Sequence, residues 1–76
     1  MDNRQIREEL DQYSDDFIRF LIDQFIHSER DRIILKRRLL DRITFEKLAE
    51  EVGLSVRWTK TVVYKGQWKI YKHVPR

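Results

Sequence analysis

Between Val52 and Arg76 the chain carries six basic residues, Arg57, Lys60, Lys65, Lys69, Lys72 and Arg76, and no acidic one. Trp58, Tyr64, Trp68 and Tyr71 are interleaved with them. Cations in such a run neutralise phosphates, and aromatic faces stack on bases. Neither chemistry is catalysis. The sequence holds no Gly-rich phosphate loop, no paired carboxylates suited to a cleft, and no nucleophile beside a base. The residues therefore point to a binding protein and not to an enzyme. His27 and His73 are too far apart to suggest a metal site, and the absence of cysteine removes thiolate ligands and disulfides. No cofactor is expected.

The positions of the charges are more informative than the formal net charge of +3. Residues 1–31 hold nine acids against four arginines, a net of −5. Residues 32–76 hold twelve basic residues against four acids, a net of +8. Such asymmetry implies a polyanion as partner for the basic half.

Seventy-six residues are expected to make one domain, 1–76, with a thin stability margin. The most apolar stretch, Phe17–Ile26, is interrupted by Arg19 and Asp23 and falls short of the roughly 20 residues that span a bilayer. No membrane segment is expected, and the predicted location is the cytoplasm. Pro75 is the only proline, and Gly53 and Gly66 are the only glycines. So few breakers predict an all-α chain with short turns.

Five helices are expected. Ile6, Leu10 and Tyr13 make one apolar stripe on a first helix from about Asn3 to Tyr13. Ser14 caps a second, whose wide stripe of Phe17, Ile18, Leu21, Ile22, Phe25 and Ile26 predicts the central core helix. Ser28, with Asp31 in a capping-box position, starts a third from Glu29 to Leu40. It buries Ile34, Leu35 and Leu39 and exposes Lys36, Arg37 and Arg38, a solvated face or a contact for phosphate or polymerase. Thr44 caps a fourth, short helix with Leu48, Ala49 and Val52 facing inward. Gly53 ends it at positive φ, and Leu54 plugs the turn. Ser55 caps the fifth, which runs to about His73. Residues 1–28 form an N-terminal helical pair, and residues 29–74 form the binding unit.

On a wheel of about 100° per residue the fifth helix divides cleanly. Thr59, Val62, Val63, Gly66 and Ile70 fall inward. Arg57, Thr61, Tyr64, Trp68 and Lys72 fall outward, with Lys60, Lys65 and Tyr71 on the flanks. Gly66 in mid-helix costs about 1 kcal/mol against Ala, which close approach of the first or third helix would offset. A short helix feeding a basic, aromatic helix through a tight turn is the layout of a helix-turn-helix that enters a major groove.

The segment Thr44-Phe-Glu-Lys-Leu-Ala-Glu-Glu-Val-Gly-Leu-Ser-Val-Arg-Trp-Thr-Lys-Thr-Val-Val-Tyr-Lys65 resembles the helix-turn-helix of the fourth region of bacterial sigma factors, which reads the −35 promoter element. Arg32-Ile-Ile-Leu-Lys-Arg-Arg-Leu-Leu-Asp41 is similar to the helix that leads into it. The whole also resembles small sigma-like DNA-binding proteins of Gram-positive prophages and mobile elements. The resemblance implies that Ser55 is a cap that also reaches a phosphate. It implies that Val56, Arg57, Trp58, Lys60 and Thr61 face DNA and that Lys65 contacts the backbone. Arg42 stands where the family often has Gly, Thr59 where it has a branched apolar core residue, and Val56 and Trp58 where polar or basic residues are common. These residues have no counterpart of the sigma region that melts promoter DNA.

The expected DNA-binding set is therefore Ser55, Val56, Arg57, Trp58, Lys60, Thr61, Tyr64, Lys65, Trp68 and Lys72. The expected function is sequence-specific recognition of double-stranded DNA in transcription. Its rival is an interaction module that binds RNA polymerase or another regulator through an apolar patch joining Trp58 and Trp68. A third reading stacks single-stranded bases on Trp68 and Tyr64. A homodimer is attractive because one small domain covers only a short half-site.

Overall fold

Four side-chain oxygens start four of the helices. Ser14, Ser28, Thr44 and Ser55 accept the backbone N–H three residues on, from Phe17 (3.2 Å), Asp31 (3.3 Å), Lys47 (3.2 Å) and Trp58 (3.0 Å). A computed structural model describes residues 2–75, so Arg76 lies outside the described residues. The helices are α1 Asn3–Leu10, α2 Asp15–Phe25, α3 Glu29–Leu39, α4 Phe45–Val52 and α5 Val56–Tyr71, with no strand among the described residues. Asp2 and Gln5 complete a reciprocal capping box on α1. Asp31 does not close such a box on α3, because its carboxylate takes both Nε and Nη2 of Arg30 at 3.3 Å. No helix among the described residues is long and apolar enough to cross a membrane.

The centre of the molecule is α5 and not α2, a correction to the sequence reading. α5 packs against all four other helices, whereas α2 rests on α3 and α5. The wide stripe of α2 misleads because Phe17 and Phe25 are only half-buried, at the edge of the core. The narrower inner side of α5 is packed throughout: Thr59, Val62, Val63, Gly66, Gln67 and Ile70 are all buried. Thr59 tolerates this because its hydroxyl donates to the Ser55 carbonyl at 2.8 Å.

α1 stops at Leu10, short of Tyr13. The N–H groups of Gln12 and Tyr13 turn to carbonyls three residues back, tightening the chain out of the helix. Tyr13 then donates its hydroxyl to the Pro75 carbonyl at 3.0 Å, which ties the C-terminal segment to the end of α1. Beyond α5 the His73 ring stacks on Phe25, with centroids 3.5 Å apart.

The basic run of α3 is engaged internally, contrary to the expected solvated face. Lys36 pairs with Asp23 of α2 at 2.7 Å. Arg37 reaches Asp41 at 2.8 Å and both carboxylate oxygens of Glu51 on α4. These hydrogen bonds hold the Glu51 and Asp23 carboxylates below, and the Arg37 guanidinium above, their ordinary values. Arg38 donates to the Ile43 carbonyl at 2.7 Å and lies 4.0 Å from the centre of the Phe45 ring. The run fixes α3 to α2 and α4.

Two residues turn through positive φ, Gly53 at 70° and Arg42 at 59°. Gly53 ends α4 as expected, and Leu54 N–H donates back to the Ala49 carbonyl at 3.1 Å, closing a Schellman turn. Arg42 makes a left-handed turn between α3 and α4 with a Cβ present, which costs about 1–2 kcal/mol. Arg42→Gly removes that cost but loosens the unfolded chain. The expected net effect is stabilisation by about 0.5–1 kcal/mol, read as a higher midpoint in urea.

Candidate nucleic-acid interface

The three residues Gly53–Ser55 join α4 to α5. The positive φ of Gly53 reverses the chain, and the Ser55 cap fixes where α5 begins. Buried Leu48 and Ala49 hold α4 against its neighbours, with Ala49 small enough for close approach. Phe45, at the start of α4, meets Tyr64 edge-on at 5.9 Å, and Lys60 Nζ lies 5.6 Å from the same ring. The register of α5 is therefore set by its inner side, and its outer residues have no choice of direction.

Ser55, Arg57, Trp58, Lys60, Lys65, Trp68 and Lys72 of the expected set are exposed on α5 or at its start. Val56, Thr61 and Tyr64 are half-buried. The Thr61 hydroxyl donates to the Arg57 carbonyl at 3.1 Å, and Tyr64 packs at the edge of the core. Tyr71, expected on the flank, is buried, because α1 covers that side and the Tyr71 hydroxyl donates to the Glu9 carboxylate.

Lys69 was outside the expected set, yet it is exposed and shares a cleft of about 130 Å³ with Trp58, Lys65 and Arg30. The wheel treats α5 alone. It does not see that the start of α3 adds Arg30, paired with Asp31, beside α5.

Electrostatically α5 differs from α1, α2 and most of α3. Cations of α1, α2 and α3 stand beside carboxylates in Arg4–Glu8, Arg7–Asp11, Arg19–Asp16, Arg30–Asp31, Lys36–Asp23 and Arg37–Asp41, while Arg32 and Arg38 donate to the Ile26 and Ile43 carbonyls. Among the described residues no such pair engages Arg57, Lys60, Lys65, Lys69 or Lys72. The carboxylates of residues 1–31 that form ion pairs do so within that segment or with Lys36, and among the described residues none pairs with a cation of α5.

Trp58 and Trp68 are 49% and 46% exposed, which leaves one face of each for a partner. They do not merge into one apolar patch. Ten residues along a helix separate them by about 15 Å, and Thr61 and Lys65 stand between them on the wheel. Lys72 Nζ lies 5.8 Å from the Trp68 ring. Among the described residues no group of side chains could hold a metal ion. Comparison with family models, with curated proteins and with solved structures finds no match to this chain.

Proposed function

We propose that the chain binds duplex DNA sequence-specifically as a helix-turn-helix regulator of transcription, with α4 across the backbone and the first turns of α5 in the major groove. The observation that carries the reading is the row of exposed cations on α5 that, among the described residues, no carboxylate pairs with. Desolvated carboxylates in a groove would repel phosphate; α5 itself carries none, and Asp31, at the cleft beside Lys65 and Lys69, is paired with Arg30. In this reading Arg57, in the first turn of α5, reads a guanine edge, and Ser55, Lys60 and Lys65 contact phosphates. The likeness of Thr44–Lys65 to sigma region four supports the same docking and makes RNA polymerase a second candidate partner.

The protein-partner reading gains less support, because Lys65 and Thr61 interrupt the aromatic surface. Selection of binding sites from random duplex DNA tests the proposal. With about five phosphates neutralised, log affinity for the selected site falls against log salt with a slope of about −5. A protein that recovers no sequence, and binds duplexes no better at low salt, has another function.

A further inference from the structure

On the other flank of α5, residues of four helices line a second, open pocket of about 200 Å³. α1 lends it Arg4 and Arg7, α3 lends Arg38, α4 lends Phe45, and α5 lends Tyr64 and Gln67. No acidic residue is among those that line it. Arg7 and Arg38 stand close enough for their like charges to act on one another, and Arg4 adds a third guanidinium at the exposed rim. The carboxylates nearby are set outside. Glu8 meets Arg4 at 3.4 Å on open surface, and Asp11 stands 3.8 Å from Arg7 Nε, beyond hydrogen-bond reach.

Two further observations concern unmet donors. The Nε atoms of Arg7 and Arg38 are both buried, and neither donates to any atom of the described residues. Such atoms are rare in folded proteins, and because protein covers them a ligand would meet the outer guanidinium nitrogens instead. Burial, then the Arg7 charge, holds the Arg38 guanidinium below its ordinary value, with Tyr64 and Glu46 acting the other way. Arg38 nevertheless cannot swing away, because the Ile43 carbonyl and the Phe45 ring fix it. Gln67 is buried and anchored, with its amide N–H donating to the Asn3 carbonyl at 3.4 Å.

We propose that this pocket binds a phosphate group, held by the guanidiniums of Arg4, Arg7 and Arg38 with Tyr64 and Gln67 beside it. Guanidinium forks match phosphate oxygens in pairs, and the excess of positive charge favours a doubly charged group over a single carboxylate. The phosphate comes either from a DNA backbone running past Lys60 or from a free phosphate-bearing molecule. The site lies off the outer ridge of α5, so it goes beyond the duplex reading and can stand without it.

Thermal unfolding with inorganic phosphate, against sodium chloride at equal ionic strength, tests free binding. At ten times the dissociation constant, phosphate raises Tm by roughly 5–10 °C above the chloride control. Arg7→Gln abolishes that excess. Arg4 has its side chain 88% exposed, so Arg4→Gln leaves the fold intact and weakens phosphate several-fold even if Arg7→Gln does not fold. A second arm measures the salt slope of duplex binding. A drop of about one in the Arg4→Gln slope assigns the phosphate to DNA, and an unchanged slope beside a phosphate-specific Tm shift assigns it to a free molecule. Equal effects of phosphate and chloride, together with an unchanged slope, overturn the site.

Discussion

Replacing Lys60 and Lys65 together by glutamine lowers affinity for every duplex by about 50-fold at 0.1 M salt. Each lysine that neutralises a phosphate contributes about 0.9 to the salt slope, so the double variant loses about two units of it. The deficit therefore shrinks as salt rises and vanishes near 1 M, where counterion release no longer drives binding. The fold has little reason to respond, since both side chains are exposed and neither joins an ion pair among the described residues. Arg57→Ala behaves differently. A bidentate contact to guanine discriminates by about 1–3 kcal/mol, so its loss relaxes preference at one base pair more than it weakens random-sequence binding. Fluorescence anisotropy on the selected site and on a scrambled duplex, across a salt series, separates the two patterns. If the lysine pair changes neither affinity nor slope, the outer side of α5 is not the interface.

Much of this architecture is legible in the sequence because local chemistry decides it. Ser14, Ser28, Thr44 and Ser55 mark helix starts by a side-chain oxygen next to an apolar period. Gly53 marks a left-handed stop, and Thr59, Val62, Val63, Gly66 and Ile70 all lie on the inner side that the wheel assigns. What the sequence hides is which helix covers which. Nothing local says that α1 lies on α5, so the burial of Tyr71 beneath Glu9 and the gathering of Arg4, Arg7 and Arg38 are unreadable in one dimension. The same holds for α3. Lys36 and Arg37 look like free charge until Asp23 and Glu51 arrive from neighbouring helices. A basic run is informative about a polyanion only after such internal pairs are subtracted, and the subtraction needs the tertiary structure.

Gly66→Ala destabilises the protein by about 2 kcal/mol, although Ala is the better helix former. A Cβ at position 66 would lie 2.3 Å from Leu35 Cδ1, 2.8 Å from Cδ2 and 2.9 Å from Cγ. The whole end of Leu35 must move, and Leu35 is 0% exposed, so it can move only by displacing its core neighbours or α5 itself. Overpacking of this kind costs about 1–3 kcal/mol. Here it falls at the top of that range, and the helix propensity of Ala returns only about 1 kcal/mol. The sign reverses in a Leu35→Ala background. There the clash is gone, the new methyl fills part of the cavity, and Gly66→Ala stabilises by about 1 kcal/mol. Denaturation of the four proteins reads this as a coupling of about 3 kcal/mol, at the upper limit for residues in contact. Should Leu35→Ala alone unfold, recovery of helical structure in the double variant makes the same point. The consequence reaches the surface, since Gly66 sits between Trp58, Lys65 and Lys69 along the cleft that α5 shares with α3. Moving α5 away from α3 displaces these groups, so Gly66→Ala also weakens duplex binding under conditions where it remains folded. Stabilisation by Gly66→Ala in the native background would mean that the glycine is only a weak point of the helix and that α3 does not set the height of the ridge.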